Sequence, residues 1–248
     1  MLIDTHCHLN TLSQITREEV ISASSSNYCF IDSAIDLSSA KLSVELSRQY
    51  SFIYSSLGYH PFSAEDFSPS IVEDYGELID QNEKVVAVGE IGLDSTATIP
   101  ADKQETVLAA FLQLAKSKQL PIILHNRWPD TKILDILDKY LSGYQKVILH
   151  CFSYDKEFLA KIIERGGYVS FSLNILRHKE DITAALKSCP LDKLLLETDS
   201  PYMRVGGKPS TPLDIGRVYS HAASIKGIEE EKLRGIVFSN AERVLFRH

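Results

Sequence analysis

The chain has 248 residues, 44% of them hydrophobic and 24% charged, with 26 Lys and Arg against 33 Asp and Glu. These fractions are typical of a globular protein and exclude a disordered or fibrous chain. No apolar run approaches the roughly 18–20 residues that span a bilayer, and the N-terminus lacks signal-peptide features, so we expect a cytoplasmic protein without a membrane partner. The net charge of −7 disfavours binding to nucleic acid.

Short apolar runs alternate along the chain with longer stretches of helical period. The predicted strands are residues 2–6, 28–35, 52–57, 85–90, 121–125, 146–150, 168–172 and 194–198. The predicted helices are residues 17–26, 38–49, 70–81, 102–119, 131–141, 155–165, 179–188, 213–226 and 229–246. Eight strand–helix units of this total length predict an α/β fold, a (β/α)8 TIM barrel forming one domain over residues 1–248. The alternative is a doubly wound open sheet, but no glycine-rich turn follows the first strand.

Side chains that can bind a metal stand at the ends of five predicted strands. They are His6 and His8 at the first strand, Glu90 at the fourth, His125 at the fifth, His150 at the sixth and Asp199 at the eighth. The carboxyl ends of barrel strands meet on one face, where the active site of a TIM barrel forms, so we expect these side chains to lie together. His6 and His8 are two residues apart and should face the same way in extended backbone.

A lone histidine is usually an ordinary hydrogen-bonded residue, which is our interpretation of His178, His221 and His248 on predicted helices or in the tail. The strand-end group differs, because burying its carboxylates and imidazoles without a cation is costly. Six ligands exceed the need of one tetrahedral ion, so we expect two divalent ions (Mg²⁺, Mn²⁺ or Zn²⁺) that share Glu90. Asp4 is a candidate ligand, an acceptor for a ring N–H, or an ordinary buried polar group.

Six short motifs, in order and at these spacings, resemble the TatD family of metal-dependent nucleases within the amidohydrolase-like barrels. They are DTHCHL at 4–9, GYHP at 58–61, VGEIGLD at 88–94, PIILHNR at 121–127, HCFS at 150–153 and LETDSP at 196–201. SNAERVLF at 239–246 is similar to the closing helix of the family, so the resemblance covers nearly the whole chain.

The resemblance implies a metallo-dependent hydrolase barrel with two ions. The matching ligands are His6, His8, Glu90 and Asp199 for one ion, and Glu90, His125 and His150 for the other. It also implies that His60 faces the substrate phosphate. Two departures concern substrate preference: Ser95 replaces a common aromatic residue, and the loop after Pro201 keeps Lys208 but lacks a second basic residue and an asparagine.

We therefore predict hydrolysis of an ester bond, above all a phosphodiester of single-stranded DNA. The ions would lower the pKa of a bound water, Asp199 would act as general base, and Glu90 and His60 complete the catalytic set. Loop residues supply candidate substrate contacts that could equally be solvated or packed. They are His60, Arg127, Arg177, Arg204 and Lys208 for phosphates, and Tyr59, Trp128 and Tyr202 for bases.

Two alternatives keep parts of this site. The first is an amidohydrolase-like enzyme acting on an amide, lactone or aminoacyl ester, although many such barrels carry a carboxylated lysine where this chain has Glu90. The second is a metal-binding scaffold without catalysis. No obligate protein partner is implied.

The acidic net charge has a local origin. Residues 62–83 carry seven acids and no Lys or Arg, and the rest of the chain has 26 acids and 26 bases. The segment predicts a solvated face of the third helix, so the net charge does not describe the barrel mouth.

Overall fold

The computed structural model describes residues 1–24 and 27–246. Within these ranges, eight parallel strands pair in sequence order to form one sheet. They are β1 Leu2–Cys7, β2 Tyr28–Ser33, β3 Ile53–Leu57, β4 Val85–Asp94, β5 Ile122–Arg127, β6 Val147–Leu149, β7 Tyr168–Phe171 and β8 Leu194–Leu196.

The segment after β8 returns to β1 and nearly closes the sheet. The Asp199 backbone N–H donates to the His6 carbonyl at 3.0 Å, and the His8 N–H donates to the Ser200 carbonyl at 2.8 Å. This closure confirms the predicted TIM barrel. The doubly wound open sheet is wrong, because the first and last strands of such a sheet order do not meet.

Helices occupy the connections between strands. They are α1 Gln14–Ala23, α2 Leu37–Gln49, α3 Pro69–Asp80, α4 Ala101–Lys118, α5 Lys132–Tyr140, α6 Lys156–Glu164, α7 Glu180–Ser188, α8 Ile215–Lys226 and α9 Glu230–Leu245. Each predicted helix overlaps one of these, while the predicted end of the first helix at Ser26 and the tail residue His248 lie outside the described residues. Over the part of the chain that the model describes, no helix combines the length and apolarity needed to cross a bilayer.

The sheet is covered on both faces, which explains the nearly continuous apolar runs of the sequence. All ten residues of β4 and all three of β8 are buried. The helices contribute one apolar side each, as α5 does with Ile133, Leu134 and Leu137. This two-sided burial is characteristic of parallel strands, and it leaves the carboxyl ends of the strands as the place where polar side chains gather.

Strand β4 is longer than predicted, because it continues past Glu90 to Asp94. Its pairing with β5 is irregular: Val88 pairs with Ile122 but Ile91 pairs with Leu124, so β4 has one extra residue there. Such a bulge redirects a side chain and is common beside active sites. Here the bulge lies between Val88 and Ile91 and so includes Glu90. The extra length of β4 places Asp94 opposite Arg127, at the end of β5.

Two glycines of β4 allow this close approach. A Cβ atom on Gly89 would lie 2.5 Å from the Ile123 carbonyl oxygen, and one on Gly92 would lie 1.8 Å from the His125 carbonyl oxygen. Both distances are far inside van der Waals contact, so any larger residue would push β5 away. The glycines therefore fix the spacing between Glu90 and His125.

The acidic segment lies on the outside of the barrel, as predicted. All seven acids are exposed, and four of them belong to α3. Lys103 and Lys118 of α4 pair with Glu65 and Asp80 at 2.6 Å. The excess negative charge is thus solvated and partly neutralised away from the strand ends.

Candidate metal centre

The predicted strand-end residues converge on the buried carboxylate of Glu90. Its Oε2 atom lies 3.3 Å from His6 Nε2 and 3.5 Å from His8 Nε2. Its Oε1 atom lies 2.6 Å from His125 Nδ1 and 2.8 Å from His150 Nε2. Each oxygen of one carboxylate therefore faces a separate pair of histidines, which we name the first pair (His6 and His8) and the second pair (His125 and His150).

Asp199 joins the first pair from the connection after β8. Its Oδ1 atom lies 3.7 Å from His8 Nε2. Among the described residues, three groups bring their ligand atoms within 4.8 Å of one another: His6, Glu90 and His150; His6, His8 and Asp199; and His60, Glu90 and His125. All three groups belong to this one centre.

The first pair is oriented by Ser33 at the end of β2. His8 Nδ1 lies 2.8 Å from the Ser33 carbonyl oxygen, which can only accept, so Nδ1 carries a proton and Nε2 turns its lone pair inward. His6 Nδ1 lies 3.0 Å from the Ser33 hydroxyl. The Asn10 amide donates to the same Ser33 carbonyl at 2.9 Å and to Asp32 at 2.7 Å. The groups that contact the outer nitrogens of this pair, the carbonyl and hydroxyl of Ser33, are therefore uncharged.

The second pair is backed by carboxylates instead. His125 Nε2 lies 3.0 Å from Asp94 Oδ2, and His150 Nδ1 lies 3.4 Å from Glu197 Oε1. Because a carboxylate accepts the proton of the outer nitrogen, the inner nitrogen is free to bind an ion. Neither Asp94 nor Glu197 was predicted as a site residue. For Asp94 the available signal was its even spacing from Glu90 within β4, which places both side chains on the same side of an extended strand.

His60 enters the centre with the opposite arrangement of its ring. Its Nε2 atom lies 3.4 Å from Glu90 Oε1, but its Nδ1 atom accepts the Phe62 backbone N–H at 3.1 Å. The proton of the neutral ring is therefore on Nε2. Burial lowers the pKa of His60 and outweighs the field of Glu90, which keeps the ring neutral. Although His60 belongs to one candidate group, it directs an N–H donor into the site.

The charges of the centre are strongly coupled. Burial alone would raise the pKa of Glu90, but the charge of His150 and the hydrogen bonds of the second pair hold it well below its usual range. Burial likewise opposes ionisation of Asp199, yet its contact with His8 and the field of His150 lower its pKa. Ionised carboxylates beside inward-facing imidazole nitrogens are the donor set that a divalent ion requires.

Asp4 has a different neighbourhood. Its side chain is buried, and its two oxygens accept hydrogen bonds from the Thr198 backbone N–H and hydroxyl. Of the three alternatives for this residue, the structure shows a buried polar group that ties β1 to the segment after β8.

The candidate substrate contacts have different exposures. Arg127, Arg177, Arg204 and Lys208 are all exposed. The Arg204 guanidinium donates to the Gly207 carbonyl within the hairpin of β9 (Arg204–Val205) and β10 (Lys208–Pro209).

The aromatic candidates separate clearly. Tyr59 is only 5% exposed and stacks on Phe111, so of its two alternatives the structure shows the packed side chain. Trp128 is half-buried, with the Lys132 ammonium 5.0 Å from its ring. Tyr202 is 55% exposed and lies beside the ring of His8, at a centroid distance of 4.9 Å.

Comparisons with known proteins agree with this architecture. A family model described as TatD related DNase matches residues 3–246. The metal-dependent hydrolase YabD of Bacillus subtilis is 32% identical over 255 residues, covering 100% of this chain and 99% of the relative. The 3′-5′ ssDNA/RNA exonuclease TatD of Salmonella typhimurium is 30% identical over 213 residues, covering 82% and 81% of the two chains.

A solved structure shows the same similarity in three dimensions. The crystal structure of YJJV, a TatD homologue from Escherichia coli K12, superposes with a TM-score of 0.88 at 27% identity and covers 98% of this chain and 97% of that one. The family and its relatives exclude the scaffold without catalysis. The chain belongs to the TatD-related DNase family and is a metal-dependent hydrolase.

Proposed function

We propose that this hydrolase cleaves phosphodiester bonds of single-stranded nucleic acid, with DNA as the preferred substrate, and that it uses two divalent ions. The observation that carries the proposal is the division of Glu90, whose two oxygens each face one histidine pair. In many nucleases, two metal ions bridged by one carboxylate stabilise both the attacking and the leaving oxygen of the reaction at phosphorus.

Each ion has its own ligand set. Glu90 Oε2, the first pair and Asp199 would hold one ion, and Glu90 Oε1 and the second pair would hold the other. The second set leaves more coordination positions for water and substrate, because it contains one side chain fewer. Mixed imidazole and carboxylate ligands accept Mg²⁺, Mn²⁺ and Zn²⁺, and we include all three as candidates.

The side chains of this chain supply the proton transfers and the stabilisation of charge. When bound, the ions contribute Lewis acidity and bring the pKa of water close to neutrality. Asp199, held as a carboxylate beside His8, accepts the proton of the attacking water. The Nε2–H of His60 turns from Glu90 to a phosphate oxygen, where it stabilises the developing charge.

Exposed cations at the strand ends extend the site along the substrate. Arg127 ends β5, and Arg204 and Lys208 form the hairpin that follows β8. We assign them to neighbouring phosphates. Binding is then weak, because few charges are neutralised, and its electrostatic part decreases as the salt concentration rises. The exonuclease name of the Salmonella relative supports a nucleic-acid substrate.

The test is digestion of end-labelled oligonucleotides by the metal-loaded enzyme. We expect wild-type protein to shorten single-stranded DNA with Mg²⁺ or Mn²⁺, and Glu90→Gln to lose at least roughly 100-fold in rate, the upper end for loss of an outer-sphere partner. Glu73→Gln on exposed α3 is the matched control and should behave as wild type.

Side-by-side assays separate the remaining alternatives. RNA, carboxylic esters and amides are incubated with the same metal-loaded enzyme. Faster hydrolysis of a carboxylic ester or amide than of any oligonucleotide would reject the nuclease and favour the amidohydrolase-like alternative. Undiminished DNA cleavage by Glu90→Gln would reject the metal centre.

A further inference from the structure

We infer that Phe62 and Tyr202 form a base-stacking subsite that holds one unpaired base on each side of the scissile phosphate. The inference rests on the proposed function and adds the residues that recognise the nucleoside parts of the substrate. Its evidence is the position of two exposed aromatic rings against two histidines of the centre.

Exposure of an apolar side chain does not by itself indicate a binding site, since isolated apolar side chains occur on every protein surface. In the described ranges, the exposed large apolar residues are Met1, Ile15, Phe62 and Tyr202. Only the last two are also in ring contact with the centre. The Phe62 ring lies 5.1 Å from that of His60, and the Tyr202 ring lies 4.9 Å from that of His8.

The two rings stand beside different halves of the centre. Phe62 adjoins His60, which faces Glu90 Oε1 together with the second pair. Tyr202 adjoins His8, which faces Glu90 Oε2 and Asp199. A phosphodiester bound at Glu90 would therefore have one aromatic ring toward each half, and each phosphate in a strand has one nucleoside on either side.

Both rings are held by the same short segments that position the chemistry. The Phe62 N–H donates to His60 Nδ1, and this turn begins at the buried Pro61. Tyr202 follows Asp199 by three residues, after the backbone bond between His8 and Ser200. Movement of either ring is thus coupled to a group at the reaction centre.

Stacking on an aromatic ring requires an open base face and tolerates any base sequence. In a duplex, neighbouring bases cover these faces. The subsite therefore selects unpaired strands and is insensitive to which bases they contain. The proposed phosphate contacts, by comparison, do not depend on the base.

The experiment compares oligonucleotides that differ only in their terminal bases. The metal-loaded enzyme is assayed on a single-stranded DNA and on the same strand with abasic sites on both sides of the terminal phosphodiester. We expect Phe62→Ala and Tyr202→Ala each to raise KM for the normal strand by about tenfold, within the range of one lost stacking contact. The abasic strand should be cleaved equally by both variants and the wild type.

Ring-preserving variants and an exposed control make the result specific. Phe62→Tyr and Tyr202→Phe should retain the wild-type KM, as should Ile15→Ala, which removes an apolar side chain that is 72% exposed. Equal KM values of the wild type for the normal and abasic strands would overturn the subsite and leave phosphodiester hydrolysis standing. Alanine variants that slow both strands equally would overturn it as well.

A binding measurement covers the case in which no strand is cleaved. Fluorescence anisotropy of a labelled oligothymidylate with the metal-loaded enzyme reports affinity without chemistry. A Kd raised about tenfold by each alanine variant supports the subsite, and an unchanged Kd rejects it.

Discussion

Asp32 and Asp94 are buried aspartates near the carboxyl ends of barrel strands, but they have opposite properties. Burial raises the pKa of Asp32 to about 6, because its hydrogen bonds from Asn10 do not offset the loss of solvent. Burial also opposes ionisation of Asp94, yet hydrogen bonds from His125 and Thr96 bring its pKa below the usual range. An imidazole neighbour turns a costly buried carboxylate into a stable anion.

The same contrast separates the two histidine pairs. Carboxylates stand behind His125 and His150, whereas Ser33 stands behind His6 and His8. A carboxylate behind an imidazole makes it a better ligand. We therefore expect the second pair to bind its ion more tightly than its three side-chain ligands alone indicate.

The largest expected effect comes from removing the carboxylate of the first pair. Asp199→Asn keeps an oxygen near His8 but cannot accept a proton, so we expect kcat to fall by about 100-fold to 10,000-fold. Steady-state cleavage of single-stranded DNA measures it. Asp192→Asn, an exposed change at the foot of β8, is the control. A kcat within about threefold of the wild-type value would contradict the assignment, because loss of a general base lowers kcat by much more than this.

The pH dependence of the free energy of unfolding tests the opposite pKa shifts of Asp32 and Asp94. An acid whose folded pKa is raised contributes stability that is present below the unfolded pKa and is lost as pH rises through the folded value. For Asp32 this loss falls between about pH 4 and pH 6 and amounts to ~3 kcal/mol. In metal-free protein, Asp32→Asn should therefore gain stability relative to wild type as pH rises.

Urea unfolding at several pH values in the presence of a chelator measures this change. Asp94→Asn provides the opposite sign, because its lowered pKa contributes stability above the unfolded value. A constant difference between Asp32→Asn and wild type from pH 4 to pH 8 would show that the carboxylate does not titrate as the burial indicates.

A smaller effect is expected when the support of the second pair is weakened. Asp94→Asn removes the charge behind His125, and we expect the affinity for one ion to fall by about 10-fold to 100-fold. Competition between the protein and a chelator for Zn²⁺ or Mn²⁺ measures this. Asp130→Asn, on the exposed connection after β5, serves as control.

The smallest effect is expected at Ser33. Ser33→Ala removes the hydroxyl beside His6 but leaves the backbone carbonyl that orients His8. Metal affinity should fall by no more than about tenfold, the lower end for an outer-sphere partner. A larger loss for Ser33→Ala than for Asp94→Asn in the same chelator competition would reverse the comparison of the two pairs.

Residues that follow apolar runs could be placed from the sequence. The runs predicted the strands, barrel geometry brought their ends together, and Glu90, His125 and His150 lie where this reasoning put them. The predicted end of β4 at Glu90 was wrong, because a bulge depends on how a neighbouring strand packs and not on local composition.

The residues that orient the histidine rings from behind were harder to predict from the sequence. Ser33 belongs to a different strand from the histidines that it orients, so no spacing in the sequence relates them. The proton position on His60 depends on a backbone N–H two residues later, which only the turn geometry reveals. The sequence left Tyr59 open between base contact and packing, because the ring packs against Phe111 of α4, a contact between distant parts of the chain.

The closure of the barrel has a consequence for assembly. The two backbone bonds that join β1 to the segment after β8 involve His6, His8 and Asp199, three of the proposed ligands. They link positions separated by more than 190 residues, a long-range step that is slow in folding. A nascent chain that stops before residue 199 lacks one proposed ligand of the centre, so binding of an ion at the first pair would require that both ends of the barrel have met. The binding free energy of that ion would then add to the stability of the closed barrel.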